Sequence, residues 1–172
     1  MAKHFNISGE LTQELLAPGD NYGVSKISLT NTQKVSKCKV DLYIEKQLTG
    51  KFYLLKGVEL PIGATLIYED MFPFVNIAGE FGLYIKLTDG ATFTLTGSID
   101  VTGTNVNVPG TNTLFLSELS VGDEVVITGE TRTVAAITSN TAATVTAAFG
   151  SDLANDTTPD CNPTALVDVI IN

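Results

Sequence analysis

Catalysis and metal binding need particular groups brought together, and this sequence holds few of them. Its single histidine, His4, has no second His or Cys near it in sequence to share a metal or a proton, and reads as a surface residue near the N-terminus. Two carboxylate pairs, Glu69-Asp70 and Asp123-Glu124, are the candidates for acid–base work on a glycan. Neighbours on a strand point to opposite faces, so neither pair forms a ready dyad. Residues 151–160 (SDLANDTTPD) set oxygen ligands at loop spacing, as calcium sites do, but lack the EF-hand pattern and read as a solvated linker. No Gly-x-Ser-x-Gly elbow, Walker loop, His-Glu-x-x-His helix or dinucleotide fingerprint occurs. The expectation is a chain with no catalytic, cofactor-binding or metal-binding residues: not an enzyme, and without a cofactor.

Cys38 and Cys161 stand far apart and outside any short metal or redox spacing. Cys38 falls in a strand-like segment and reads as a small buried hydrophobe; a bridge to Cys161 requires the fold to bring the C-terminal segment beside that strand. Trp is absent. Phe52, Tyr53, Tyr68, Phe72, Phe74, Phe81, Tyr84 and Phe93 lie in core-like contexts, whereas alternation places Tyr43 on an outer face, available to a contact surface.

The elements around these residues read as strands. In 37–45 (KCKVDLYIE) apolar side chains recur at every second position, the period of a half-buried strand in an antiparallel sheet. Flanking strands are expected at 24–29 and at 50–55, the latter following 37–45 after a short connection at 47–49. Pro61 and Gly63 within 58–67 imply an edge or a bent crossing between sheets. Residues 69–75 have no strict period and suggest a helical turn or a loop that plugs the core. Strands return at 82–88 and 165–172, and the best helical stretch, 11–16, is too short to define an architecture. The expectation is an all-β, antiparallel sandwich of jelly-roll type.

Charge divides the chain. Residues 1–93 hold nine Lys and ten Asp or Glu, while residues 94–162 hold one Arg and eight acids and are rich in Thr, Gly, Asn and Ala. Nearly all of the net −9 therefore belongs to the middle. That middle has its own strands at 121–129, 130–137 and 143–146, with a tight turn expected at Gly129-Glu130. The domain plan is thus a sandwich from 1–93 plus 163–172, carrying a small β-barrel-like insertion at 94–162. The pI near 4.4 argues against a general grip on nucleic acid. Without a long apolar run, a soluble chain made in the cytosol is expected, with no membrane partner.

Residues 52–66 (FYLLKGVELPIGATL) and the closing 167–171 (VDVII) resemble small virion structural proteins of tailed bacteriophages, marine and cyanobacterial ones in particular, over residues 24–90 and the last strand. Residues 109–115 (PGTNTLF), 118–127 (ELSVGDEVVI), 130–137 (ETRTVAAI) and 144–145 resemble a β-rich unit of phage tail, fibre and capsid-associated proteins. These resemblances imply a structural role in a phage particle, as a capsid decoration or cement protein or a head–neck component; the alternative is a tail fibre or a receptor- or carbohydrate-binding module. They imply the virion as location, after synthesis in the host cytoplasm. The implied partners are the major capsid, neck or tail proteins, further copies of the chain and a host-surface glycan. No site residues come with them.

Overall fold

The computed structural model describes residues 1–46, 49–75 and 81–172, apart from the side chains of 70–75. The chain is built almost wholly of antiparallel strands. Two compact units arise, one from residues 1–33, 37–89 and 165–172, the other from 34–36 and 90–164. The breaks fall at 89/90 and 164/165, four residues before and two residues after the composition shift.

The first unit contains β1 (Lys3–Ser8), β2 (Gln13–Leu16), β3 (Gly23–Asn31), β4 (Cys38–Lys46), β5 (Gly50–Leu60), β6 (Thr65–Val75) and β7 (Gly82–Thr88), and is completed by the last strand, Leu166–Ile171. Counting these eight along the chain, the two sheets run 1-8-3-6 and 2-7-4-5. That order is a jelly roll, in which successive strands cross between the sheets, except for the β4–β5 hairpin, and the last strand lies inside one of them. Alternation drives it. Cys38, Val40 and Leu42 on β4 are buried while Lys39 is exposed, and Val167, Val169 and Ile171 on the last strand face the same core with Ile170 outside. On β3 the inward parity changes between Val24 and Ile27, where the ladder to β6 slips its register.

The crossing around Pro61 is a tight turn. Ala64 N–H donates to the Pro61 carbonyl at 3.1 Å, and Gly63 takes φ +68°, a left-handed angle costly for other residues. It carries the chain from edge strand β5 to edge strand β6 in the opposite sheet. The buried amide of Asn31 braces the crossing, donating to the Leu60 carbonyl at 3.0 Å and accepting the Gln33 N–H at 2.9 Å.

Two expectations are corrected. Residues 69–75 form the second half of β6, not a helical turn or plug: on an edge strand, Pro73 costs no essential ladder bond. Residues 13–16 of the short helical candidate pair with β7 as β2, because Leu15 and Leu16 are buried there and sheet packing overrides a weak helical period. His4 is exposed, as expected, within β1, a strand whose signal is the Phe5-x-Ile7 alternation. The connection expected at 47–49 lies partly outside the described residues, as do the side chains of Phe72 and Phe74.

The second unit comprises β8 (Phe93–Thr94), β9 (Ser98–Val101), β10 (Asn107–Thr111), a single helical turn α1 (Phe115–Glu118), β11 (Glu124–Ile127), β12 (Glu130–Ser139), β13 (Ala142–Val145), β14 (Leu153–Asp156) and β15 (Asp160–Asn162); the strand closing the first unit is therefore β16. Its eight strands make one antiparallel sheet, β14-β9-β10-β13-β12-β11-β15-β8, curled around a core that includes Ile99, Val101, Phe115, Val125, Ile127, Val134, Phe149 and Cys161. The β11–β12 turn is centred on Thr128-Gly129, one residue earlier than expected, with φ of 48° and 84° as a type I′ hairpin demands. Gly97 also has to be glycine: at φ +87° a Cβ would lie 2.5 Å from the Thr111 carbonyl oxygen.

Candidate functional site

The most developed cluster of functional groups among the described residues lies on the outer face of the β2-β7-β4-β5 sheet. Register brings together what sequence keeps apart: Tyr43 on β4 faces Tyr53 on β5 and Tyr84 on β7, and Tyr84 faces Glu14 on β2. The three rings form a row across the sheet. Tyr43 stacks on Tyr84 with centroids 5.7 Å apart and planes at 19°, and tilts by 52° against Tyr53 at 5.5 Å, separations at which aromatic pairs attract. Gly82 provides the bed for Tyr84, whose ring lies where a Cβ would stand, 2.8 Å away.

Polar groups finish both ends of the row. Lys51 Nζ donates to the Tyr43 hydroxyl at 3.1 Å and lies 4.4 Å from that ring's centroid; Lys56 Nζ is 4.8 Å from the Tyr53 centroid. The bond to Tyr43 holds the Lys51 ammonium above its ordinary pKa. At the far end the Tyr84 hydroxyl donates to Glu14 Oε2 at 2.9 Å, and burial, then this bond, push the phenol up to about 12. It stays protonated as a donor. Asp41 faces Lys86, and Glu45 faces Lys51, in the rows on either side; Asp41 also accepts the Gly57 N–H at 2.6 Å where β5 bulges. A recess of about 420 Å³ opens beside Tyr84, lined by Glu14, Pro18, Glu45 and Tyr84.

Tyr43 is on the outer face, as alternation requires, but only 1% exposed: its neighbours cover it. The accessible rings are Tyr53 at 42% and Phe52 at 51%, both expected in the core. The row was missed because cross-strand register depends on bulges, and β4–β5 has two slips between Val40 and Tyr43.

The remaining candidates are dispersed. His4 lies on an exposed groove with Phe5, Asn6, Asp168, Val169 and Ile170, where Asn6 donates to Asp168 at 2.6 Å. Glu69 pairs with Lys26 at 3.0 Å on an open surface, and the side chain of Asp70 is outside the described set. Asp123 is fully buried and accepts the Ser120 and Thr164 N–H groups at 2.7 and 3.0 Å, while its neighbour Glu124 is exposed. In the 151–160 stretch the carboxylates go to separate partners: Asp152 takes the Gly103 N–H, Asp156 takes the Thr128 and Thr158 N–H groups, and Asp160 takes the Thr94 hydroxyl. Among the described residues no three His, Cys, Asp or Glu stand close enough to hold a metal ion.

Both cysteines are buried free thiols, Cys38 in the first core and Cys161 in the second. Burial pushes Cys38 up to about 11, and burial followed by the Asp123 carboxylate, 3.9 Å away, raises Cys161. Both are held as unreactive thiols.

Fold and site together define an antiparallel jelly-roll protein with a β-unit inserted between its seventh and eighth strands. No protein-family model matches the chain, and no curated protein matches it. Among solved structures it is similar to a crystal structure of a serine protease of Aeromonas sobria, at 9% identity and a TM-score of 0.27, spanning all of this chain and 26% of that one. A likeness so slight carries neither fold nor activity across.

Proposed function

We propose that this chain is a non-enzymatic structural protein of a tailed-phage particle, a capsid decoration or cement protein or a head–neck component. The observation that carries the reading is the plan of the molecule: a jelly roll with an inserted unit that has its own sheet and its own core. Jelly rolls recur as capsid and lectin scaffolds, and a loop insertion adds a second surface without disturbing the first core.

The outer face of the β1-β16-β3-β6 sheet suits docking. Ile170 and Ile67 are exposed there at 37% and 51%, on either side of Ser28 in one row, and Thr30 bonds Thr65 at 2.9 Å in the next. Such a level surface of small polar and isolated apolar groups fits a capsid, neck or tail protein or another copy of the chain. Asp123, Asp152, Asp156 and Asp160 are bound to the chain's own N–H and hydroxyl groups, which favours a framework role for them over a catalytic one.

Proteomics and cryo-electron microscopy of purified particles of the encoding phage test this. The expected result is the chain present at symmetric, stoichiometric positions, with density on the β1-β16-β3-β6 face; absence from the particle overturns the proposal.

A further inference from the structure

We propose that the outer face of the β2-β7-β4-β5 sheet binds a neutral saccharide chain, with Tyr53 as the stacking ring and the recess beside Tyr84 as the polar end of the site. Three features select that ligand.

First, the tyrosine row gives a supported aromatic surface. Tyr53 is 42% exposed while Tyr43 behind it is fully covered, so the accessible ring is held from one side by packing, and the exposed Lys56 ammonium, 4.8 Å from its centroid, swings aside for a ligand. A pyranose ring presents a face of C–H groups to such a surface, and burying it is favourable without any charge.

Second, the charges around the row cancel. Lys51, Lys56 and Lys86 stand with Glu14, Asp41 and Glu45, three cations against three carboxylates, interleaved by register and not separated into patches. A polyanion would gain three ammonium groups and meet three carboxylates, and a polycation the reverse. A polyhydroxylated neutral chain can donate to the carboxylates and accept from the ammonium groups at once, so charge complementarity favours it.

Third, the recess is of ligand size. About 420 Å³ lined by two carboxylates, a proline and the Tyr84 phenol is within the range of small-molecule pockets. The phenol already donates to Glu14, which leaves the carboxylates' remaining lone pairs for sugar hydroxyls.

The inference stands apart from the virion reading, since a chain absent from particles would still bind or not bind a glycan. Because the protein has no Trp and three of its five Tyr stand in this row, intrinsic tyrosine fluorescence is dominated by it. The full chain is titrated with xylohexaose, mannohexaose, laminarihexaose and a neutral-glycan array, with hexagalacturonate as the acidic control, and calorimetry confirms each response. Saturable binding of a neutral probe is expected, weakened about tenfold or more by Tyr53→Ala. Tyr53→Phe, which keeps the ring, and Ile67→Ala, on the opposite sheet, should bind as the parent does. The proposal falls if no neutral glycan binds, if only hexagalacturonate binds, or if Tyr53→Ala leaves the affinity unchanged.

Discussion

The two units differ in what they offer their carboxylates. In the jelly roll three acids pair with lysines at the surface, Asp20 with Lys3, Glu59 with Lys37 and Glu69 with Lys26, while Glu10, Asp41 and Asp89 accept backbone N–H groups. In the inserted span 90–164 Arg132 is the sole cation, and most of the acids are satisfied by the chain's own N–H and hydroxyl groups. Glu118 accepts the Thr96 N–H and hydroxyl; Glu130 gathers the Gly150 N–H, the Ser151 hydroxyl and Arg132; Asp123, Asp152 and Asp156 each accept backbone N–H groups. The acidity that looks like a surface property in the sequence is in large part a framework. Short strands of two to five residues, with β12 the exception, leave many loop N–H groups outside ladders, and a carboxylate is the strongest acceptor available to them.

If the units are separate cooperative bodies, core truncations should move one unfolding transition each. Phe115→Ala, at a residue with no exposed surface, should cost about 4 kcal/mol and shift the transition of the inserted unit alone. Ile85→Ala, equally buried in the jelly roll, should do the converse. Calorimetry reads both, and a single transition displaced by either variant would merge the units thermodynamically.

The framework role of the carboxylates is sharpened by Asp123→Ala. It leaves the Ser120 and Thr164 N–H groups without their shared acceptor, and a cost of about 3 kcal/mol is expected in the inserted unit. Denaturant titration of the variant measures it. A loss below about 1 kcal/mol would mean that these loops find other acceptors.

Acid should separate the units as well. Glu130 is held below its ordinary pKa, chiefly by the Gly150 N–H, then by Ser151 and Arg132. Its contribution is therefore present above the usual glutamate value and is lost as pH falls through the lowered one. Asp20 behaves likewise in the jelly roll, through Lys3, but on a single exposed pair, where screening leaves little to lose. The buried thiols report which core opens. On acidification below pH ~4, a disulfide reagent active in acid should label Cys161 before Cys38, as read by peptide mapping; the reverse order would place the weaker framework in the jelly roll.

Much of the architecture was legible because alternation is a local signal. The buried Cys38, Val40 and Leu42, and Val167, Val169 and Ile171, are visible in the sequence as strand faces, and the apolar final strand needs a sheet to complete. What could not be read is whatever depends on register between distant strands. The row of Tyr43, Tyr53 and Tyr84 spans 41 positions and crosses two slips in the β4–β5 ladder, and Glu14 joins it only because its segment becomes a strand. Likewise, Asp123 next to Glu124 looks like a carboxylate pair, when burial of one and exposure of the other give them unrelated duties.

The smallest expected effect lies at the lysine pairs. Lys37 bonds Glu59 at 2.8 Å with both side chains well exposed, at 62% and 45%. Such a pair gains little Coulomb energy in water and loses side-chain freedom, so Lys37→Ala should change the stability of the jelly roll by less than about 0.5 kcal/mol. The measurement is the midpoint of the jelly-roll transition at low and at moderate salt, where the difference between variant and parent should shrink further. A larger, salt-resistant loss would show that surface pairs hold this unit as firmly as the backbone-bonded carboxylates hold the other, and the contrast between the units would then be one of partner chemistry and not of energy.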